Sequence, residues 1–226
     1  MGMDSDTLDV TGTVTKYPFK ETYTEEKIKE VLTSFLGSYD QEVPLYSAVH
    51  VEGKRLYEYA RSGEEVKLPS KLVTIQDIEL LETSSMDLDN PTFQFKVSVS
   101  KGTYIRSLIR DIGKKLNCPC IMKNLIRTRQ GKFLLEEALL LEDIKEDTPL
   151  LKIEEALKRI EEYDTIVVDK TLESKIQNGA VLPRNFSGSY ATLLNEEQEL
   201  LAIYQRYSKD ENLMKPWKVF CKENEK

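Results

Sequence analysis

The chain has 226 residues, 40% hydrophobic and 31% charged, with a net charge of −7 and a single histidine, His50. Such a composition suits one large domain plus a small one, and it excludes a membrane-spanning helix, because no apolar run approaches the roughly eighteen residues one requires. Cys118, Cys120 and Cys221 form no spaced framework of the secreted kind and no basic-then-apolar leader is visible, so the expected compartment is the cytoplasm.

In chain order, Thr24 suits an N-cap, Glu25 and Glu26 suit a first turn, and Ile28, Val31, Leu32, Phe35 and Leu36 form an apolar stripe that ends at Gly37. That pattern predicts an amphipathic helix. Pro44 to Val49 leads through a Glu52-Gly53-Lys54 turn into Leu56 to Arg61, whose spacing is helical. Val73 to Leu81 has strand character, and Phe93, Phe95, Val97 and Val99 alternate with polar residues. These are two strands able to pair in one sheet.

The segment Ser100-Lys101-Gly102-Thr103-Tyr104-Ile105-Arg106 then hands a strand over to a helix marked by Ile105, Leu108, Ile109, Ile112 and Leu116. A corner of this kind exposes backbone N–H groups and the positive end of a helix dipole, so it favours anions. The bland alternative is a surface corner with one tyrosine tucked against the sheet. From Lys101 to Lys132 there are nine basic residues and one acid, Asp111, a net +8 that leaves −15 for the remainder of the chain. A basic stripe on an acidic body suits a polyphosphate ligand, and equally suits a solvated helix face balanced by acidic neighbours. Cys118-Pro119-Cys120 lacks a second ligand pair, which argues against zinc. With His50 as the only imidazole and no partner motif beside it, a Ser/His/Asp or Cys/His nucleophile is not expected.

Beyond this point Leu134 to Ile144 and Leu151 to Ile160 read as helices. From Thr165 the chain reads as short strands: Ile166 to Val168, Tyr190 to Leu194, Leu200 to Tyr207 and Trp217 to Cys221. Lys175 to Gly179 reads as a turn and Asn195 to Gln198 as a hairpin loop. A domain boundary is expected near Tyr163 and Asp164.

Several motifs, in order, resemble those of the bacterial TruB family of tRNA pseudouridine-55 synthases. Gly2 to Gly12 (GMDSDTLDVTG) is similar to the family's G-x-x-T-D-T-x-D-x-x-G. Pro44 to Ala48 and Gly53 to Arg61 are similar to P-x-Y-S-A and G-K-x-L-Y-E-Y-A-R. Ser100 to Arg106 matches S-K-G-T-Y-I-R, and Leu125-Ile126-Arg127 matches an L-x-R segment. The similarity continues through Leu201 to Tyr204 and Lys215 to Phe220, which resemble the family's PUA-like end.

The resemblance implies an α+β fold, a mixed sheet with flanking helices over residues 1–163, followed by a small β-rich PUA-like RNA-binding domain over 164–226. It implies isomerisation of the T-loop uridine of tRNA to pseudouridine, with no cofactor and no metal. In the family an aspartate attacks C1′ of the ribose or assists loss of the C2′ proton, and the freed uracil rejoins through C5. The uridine must first be flipped out of its stack, at a cost of a few kcal/mol. By the same resemblance Tyr104 packs against the flipped base, Arg106 holds the catalytic aspartate ionised, and Asp9 belongs to the network of that arginine. Leu125 lines the pocket, and Lys101, Arg127 and Tyr46 contact substrate or support the cleft. On residue type alone, Asp9 reads equally as a turn-former ahead of Gly12 and Leu125 as core. The expected partner is the T stem-loop of tRNA, bound by a monomer, with no membrane and no metal.

Two departures stand out. His50 and Ile121 replace the family's usual lysine and histidine, and no G-[HT]-x-G-[TA]-L-D-P segment, the carrier of the catalytic aspartate, occurs in these residues. The resemblance therefore leads one to expect that roughly the first quarter of a family member is missing. It could be lost by trimming or a mis-assigned start, in a natural fragment, or in a non-catalytic relative. Joint retention of Tyr104, Arg106 and Asp9 favours trimming. The alternative function is a non-catalytic module that binds or folds tRNA, and a weaker one is an acidic interaction protein with no RNA affinity.

Overall fold

A computed structural model describes residues 1–18, 23–84, 91–160 and 163–220, apart from the side chains of 154, 158 and 160. The chain divides into two compact units, Met1–Leu125 and Ile126–Lys226. None of the described helices is long and apolar enough to cross a membrane.

The first unit opens with a short hairpin of β1 (Met3–Ser5) and β2 (Val14–Lys16). Helix α1 (Glu25–Thr33) begins as expected, with the Thr24 side chain accepting the N–H of Lys27. It buries Ile28, Val31 and Leu32. The helix stops at Thr33, short of the expected Gly37; Phe35 still reaches the core, whereas Leu36 is exposed. The sheet has the order β3 (Gly37–Glu42), β6 (Ser70–Thr83), β7 (Phe93–Val99), antiparallel throughout. The two strands expected to pair do so. Between β3 and β6 lie the small ribbon β4 (His50–Val51) and β5 (Lys54–Arg55), and helix α2 (Leu56–Ser62).

Helix α3 (Ile105–Lys115) follows β7 and lays Leu108, Ile109 and Ile112 on the same core as Ile28, Leu32, Phe35 and Ile75. Burial of such side chains contributes about 1.5–3 kcal/mol each. Tyr104 belongs to a smaller cluster with Val43, Leu56 and Tyr59. The corner between β7 and α3 depends on Gly102, whose φ of +87° favours glycine and where a Cβ would also strike the Lys71 side chain.

The second unit begins with the ribbon β8 (Arg129–Gln130) and β9 (Phe133–Leu134) and continues to α4 (Ile153–Ile160). The helix expected over Leu134 to Ile144 is two single 3₁₀ turns, Leu135–Glu137 and Leu141–Asp143. Its leucines explain why: Leu139, Leu140 and Leu141 are all exposed, and an isolated short helix without an apolar surface to cover is not stable in water. A five-stranded sheet follows, ordered β10 (Asp164–Val167), β12 (Tyr190–Leu194), β13 (Leu200–Tyr207), β14 (Asp210–Val219), β11 (Leu182–Pro183), with only β10 and β12 parallel.

Helix α5 (Lys170–Gln177) replaces the turn expected at Lys175 to Gly179. Asp169 caps it by accepting the N–H of Leu172, and Ile176 is fully buried. The hairpin loop at Asn195 to Gln198 is as expected, closed by Asn195 and Glu199 exchanging backbone and side-chain bonds. The last strand starts earlier than expected, at Asp210, and Cys221 lies outside the described residues.

Candidate active site

Three short segments converge on the first turn of α3. The first is the loop after β1. Leu8 adopts φ 62°, a left-handed conformation that costs of order 1 kcal/mol for a residue with a Cβ. It is held there on both sides: its N–H donates to Ser5 O (3.1 Å), its carbonyl accepts the N–H of Met122 (3.0 Å), and Val10 N donates to Met122 O (3.1 Å). The loop is so tight that a Cβ on Gly12 would fall onto the Asp6 and Thr7 side chains. Asp9 is thereby presented with Oδ1 accepting Thr7 Oγ1 (2.8 Å), Thr11 N (2.9 Å) and Thr11 Oγ1 (2.5 Å). Oδ2 faces Arg106.

Arg106 draws on the second segment as well. Its Nη1 donates to Thr7 O (2.9 Å) and approaches Asp9 Oδ2 (3.4 Å), while Nη2 donates to Tyr46 O (3.0 Å). Only 25% of the arginine side chain and 15% of the aspartate side chain remain accessible. Three of the five guanidinium N–H groups are thus engaged, and two have no partner among the described residues. Burial opposes the charge on Asp9, but the Thr11 and Thr7 hydrogen bonds and the neighbouring Arg106 outweigh it and hold the carboxyl below its ordinary value.

The third segment is β3. Gln41, 1% exposed, donates from Nε2 to Tyr39 Oη (2.7 Å) and accepts the backbone N–H of Tyr104 at Oε1 (2.8 Å). Tyr104 is the N-cap of α3 but has no side-chain cap bond, so Gln41 supplies a partner where a helix start ordinarily leaves donors orphaned. Ser107 Oγ donates to Glu42 O (2.9 Å), and Arg110 reaches the Glu42 carboxylate (2.9 Å). The start of α3 is therefore stapled to the end of β3.

Asp9, Tyr46 and Arg106 come together, with Tyr104 two residues before Arg106 and packed on the cluster that also receives Leu45. The other expected residues are more dispersed. Lys101 is exposed, with its carbonyl 3.5 Å from Lys71 Nζ; Leu125 is 55% exposed at the end of the first unit; Arg127 belongs to the second unit and bonds Gln130. Gln41 and the two threonines escaped the sequence reading, though a polar residue in step with Tyr39 and Val43 on a half-buried strand was a usable signal for Gln41. Part of the basic stripe is held in local contacts. Arg110 pairs with Glu42 and Asp111, Lys114 with Asp111, and Lys115 lies 4.1 Å above the Phe35 ring. Cys118 and Cys120 are both buried, and no group of metal-ligating side chains occurs among the described residues.

An α+β chain with this corner has the fold of a pseudouridine synthase. Solved neighbours include a Cbf5-Nop10-Gar1 complex (TM-score 0.63, 24% identity, 89% of this chain and 63% of that one). A second is an H/ACA RNP bound to a substrate RNA containing 2′-deoxyuridine (TM-score 0.62, 21% identity, 92% and 64%). The chain thus spans a little under two thirds of those proteins.

The description "TruB family pseudouridylate synthase (N terminal domain)" matches residues 1–105. Relatives named tRNA pseudouridine synthase B are 36% identical in Bacillus cytotoxicus, 38% in Bacillus velezensis and 38% in Halalkalibacterium halodurans, each match covering 100% of this chain and 76% of the relative. The chain belongs to the TruB family of pseudouridine synthases.

Proposed function

We propose that this chain carries most of a tRNA pseudouridine synthase that converts the T-loop uridine, uridine-55, to pseudouridine, and that the attacking aspartate is supplied by a segment outside these 226 residues. The observation that carries this reading is the Arg106 clamp. Two backbone carbonyls and Asp9 fix the guanidinium, and two N–H groups are left over for a second carboxylate. Charge-assisted bonds of that kind keep a carboxylate ionised and aimed. Asp9 is occupied by Thr7, Thr11 and Arg106, so it orients the arginine and does not itself attack.

In the reaction the aspartate attacks C1′ or takes the C2′ proton as the N1–C1′ bond breaks. Uracil turns, C5 bonds to C1′ as the aspartate ester breaks or the proton returns to C2′, and the C5 proton departs while N1 gains one. Tyr104 is the flat surface against which the flipped base packs, and Leu125, Lys101 and Arg127 support the bound tRNA. The proposed functional division is a catalytic part over 1–163 and a PUA-like RNA-binding part over 164–226, although the compact units part at Leu125. A tRNA substrate places the enzyme in the cytoplasm.

Tritium release from C5-labelled tRNA tests the reading. The 226 residues alone should release none. A chain extended at its N-terminus by a segment carrying the family's G-[HT]-x-G-[TA]-L-D-P motif should release it, and Arg106→Ala should abolish that release. An extended chain that binds tRNA with a salt-sensitive affinity, survives Arg106→Ala in binding and isomerises nothing would instead make this a non-catalytic tRNA-binding module.

A further inference from the structure

The five-stranded sheet carries a row of aromatic rings that the clamp on α3 does not use. Ala191 and Leu193 of β12 and Ala202 and Tyr204 of β13 turn into the core. By strand alternation the cross-strand set Tyr190, Gln205 and Lys215 therefore turns to the opposite face. Tyr190 meets Tyr163 on one side, ring centroids 5.6 Å apart and planes at 38°. On the other side it meets Trp217, at 5.5 Å and 60°.

Trp217 is the unpaired residue of a bulge: Tyr204 pairs with Pro216 and Ile203 with Lys218, so the tryptophan has no partner on β13. Bulges re-aim side chains, and this one leaves an indole 55% exposed. Two cations flank it in sequence. Lys215 Nζ lies 5.7 Å from the Tyr207 ring centroid, and Lys218 is exposed. Neither lysine has a carboxylate partner among the described residues.

We propose that Trp217 and Tyr190, flanked by Lys215 and Lys218, form a platform on which unpaired RNA nucleotides stack. Exposed aromatic faces beside cations are what a single strand requires, bases on rings and phosphates on lysines. The centre of a protein-docking face is instead depleted of charge. A duplex already has its base faces stacked and has nothing to offer an indole. The choice of RNA as the nucleic acid rests on the synthase reading above.

Trp217 is the only tryptophan of the sequence, so tryptophan fluorescence of the full chain, excited where tyrosine does not absorb, reports on this place alone. A short unstructured oligoribonucleotide should quench it, with an affinity that falls as salt rises, and the same strand annealed to its complement should not. In filter binding Trp217→Ala should weaken the single strand by about tenfold or more, Trp217→Phe should retain most of the affinity, and Lys215→Gln with Lys218→Gln should flatten the salt dependence. Equal quenching by the duplex, no binding of the single strand, or an unchanged affinity in a folded Trp217→Ala chain would each overturn the platform. An extended Trp217→Ala enzyme that binds the strand as well as its parent and still isomerises uridine would remove the platform while leaving the synthase reading in place.

Discussion

The start of α3 and the five-stranded sheet treat polar groups in opposite ways. Around α3, the carboxamide of Gln41 and the hydroxyl of Ser107 are withdrawn from water, the Asp9 carboxylate and the Arg106 guanidinium are half-buried, and each is bonded to another segment. In the sheet, the interior is Ile176, Ala191, Leu193, Leu201, Ala202 and Met214, with the Tyr204 hydroxyl satisfied by Ala180 O. Withdrawn polar groups are costly unless fully bonded. Their concentration at one helix start marks a place where geometry matters more than stability, while the sheet uses plain burial and puts its chemistry on the outer face.

Substitutions in each region sharpen that contrast. Leu193→Ala should cost the most, about 2–5 kcal/mol, through lost apolar burial and the cavity left behind, read from the midpoint of urea unfolding. Gln41→Leu keeps the volume but strands the Tyr104 N–H and the Tyr39 hydroxyl; a loss of about 1–3 kcal/mol is expected, and a neutral outcome would show that the staple is dispensable.

Asp9→Asn should have a smaller effect, and its signature is in pH. The folded carboxyl titrates below its ordinary value of 3.8, so its contribution is fully present above that value and is lost as pH falls through the folded one. The parent chain should therefore lose stability on acidification through this window, and the asparagine variant should lose less. Smallest of all is Glu64→Gln, which removes an exposed partner of Lys54; thermal unfolding should not register it.

Most of the scaffold was legible because its elements announce themselves locally. The Thr24 cap, the alternation through Phe93 to Val99 and the helical spacing after Ile105 each needed only neighbouring residues. Leu134 to Ile144 misled because its spacing is helical while its leucines find no surface to cover. Lys175 to Gly179 misled in the other direction: it read as a turn, whereas a helix capped by Asp169 runs on to Gln177.

At the site, Tyr104 and Arg106 stood out as a motif, but which groups hold Arg106 could not be read. Thr7 and Tyr46 contribute backbone carbonyls, which any side chain at those positions would have supplied. The neutralisation of Arg110 by Glu42, 68 positions away in sequence, was hidden for a similar reason, since it depends on the pairing of distant segments.

The Gln41 side chain also has a consequence for hydrogen exchange. Amides at the beginning of a helix ordinarily trade their protons with water quickly, having no carbonyl one turn back to hold them. The amide proton of Tyr104 is held by a carbonyl oxygen that is itself sealed off from solvent. It should persist in heavy water long after its neighbours at the corner have been replaced, which makes one backbone resonance a gauge of how often β3 and α3 come apart.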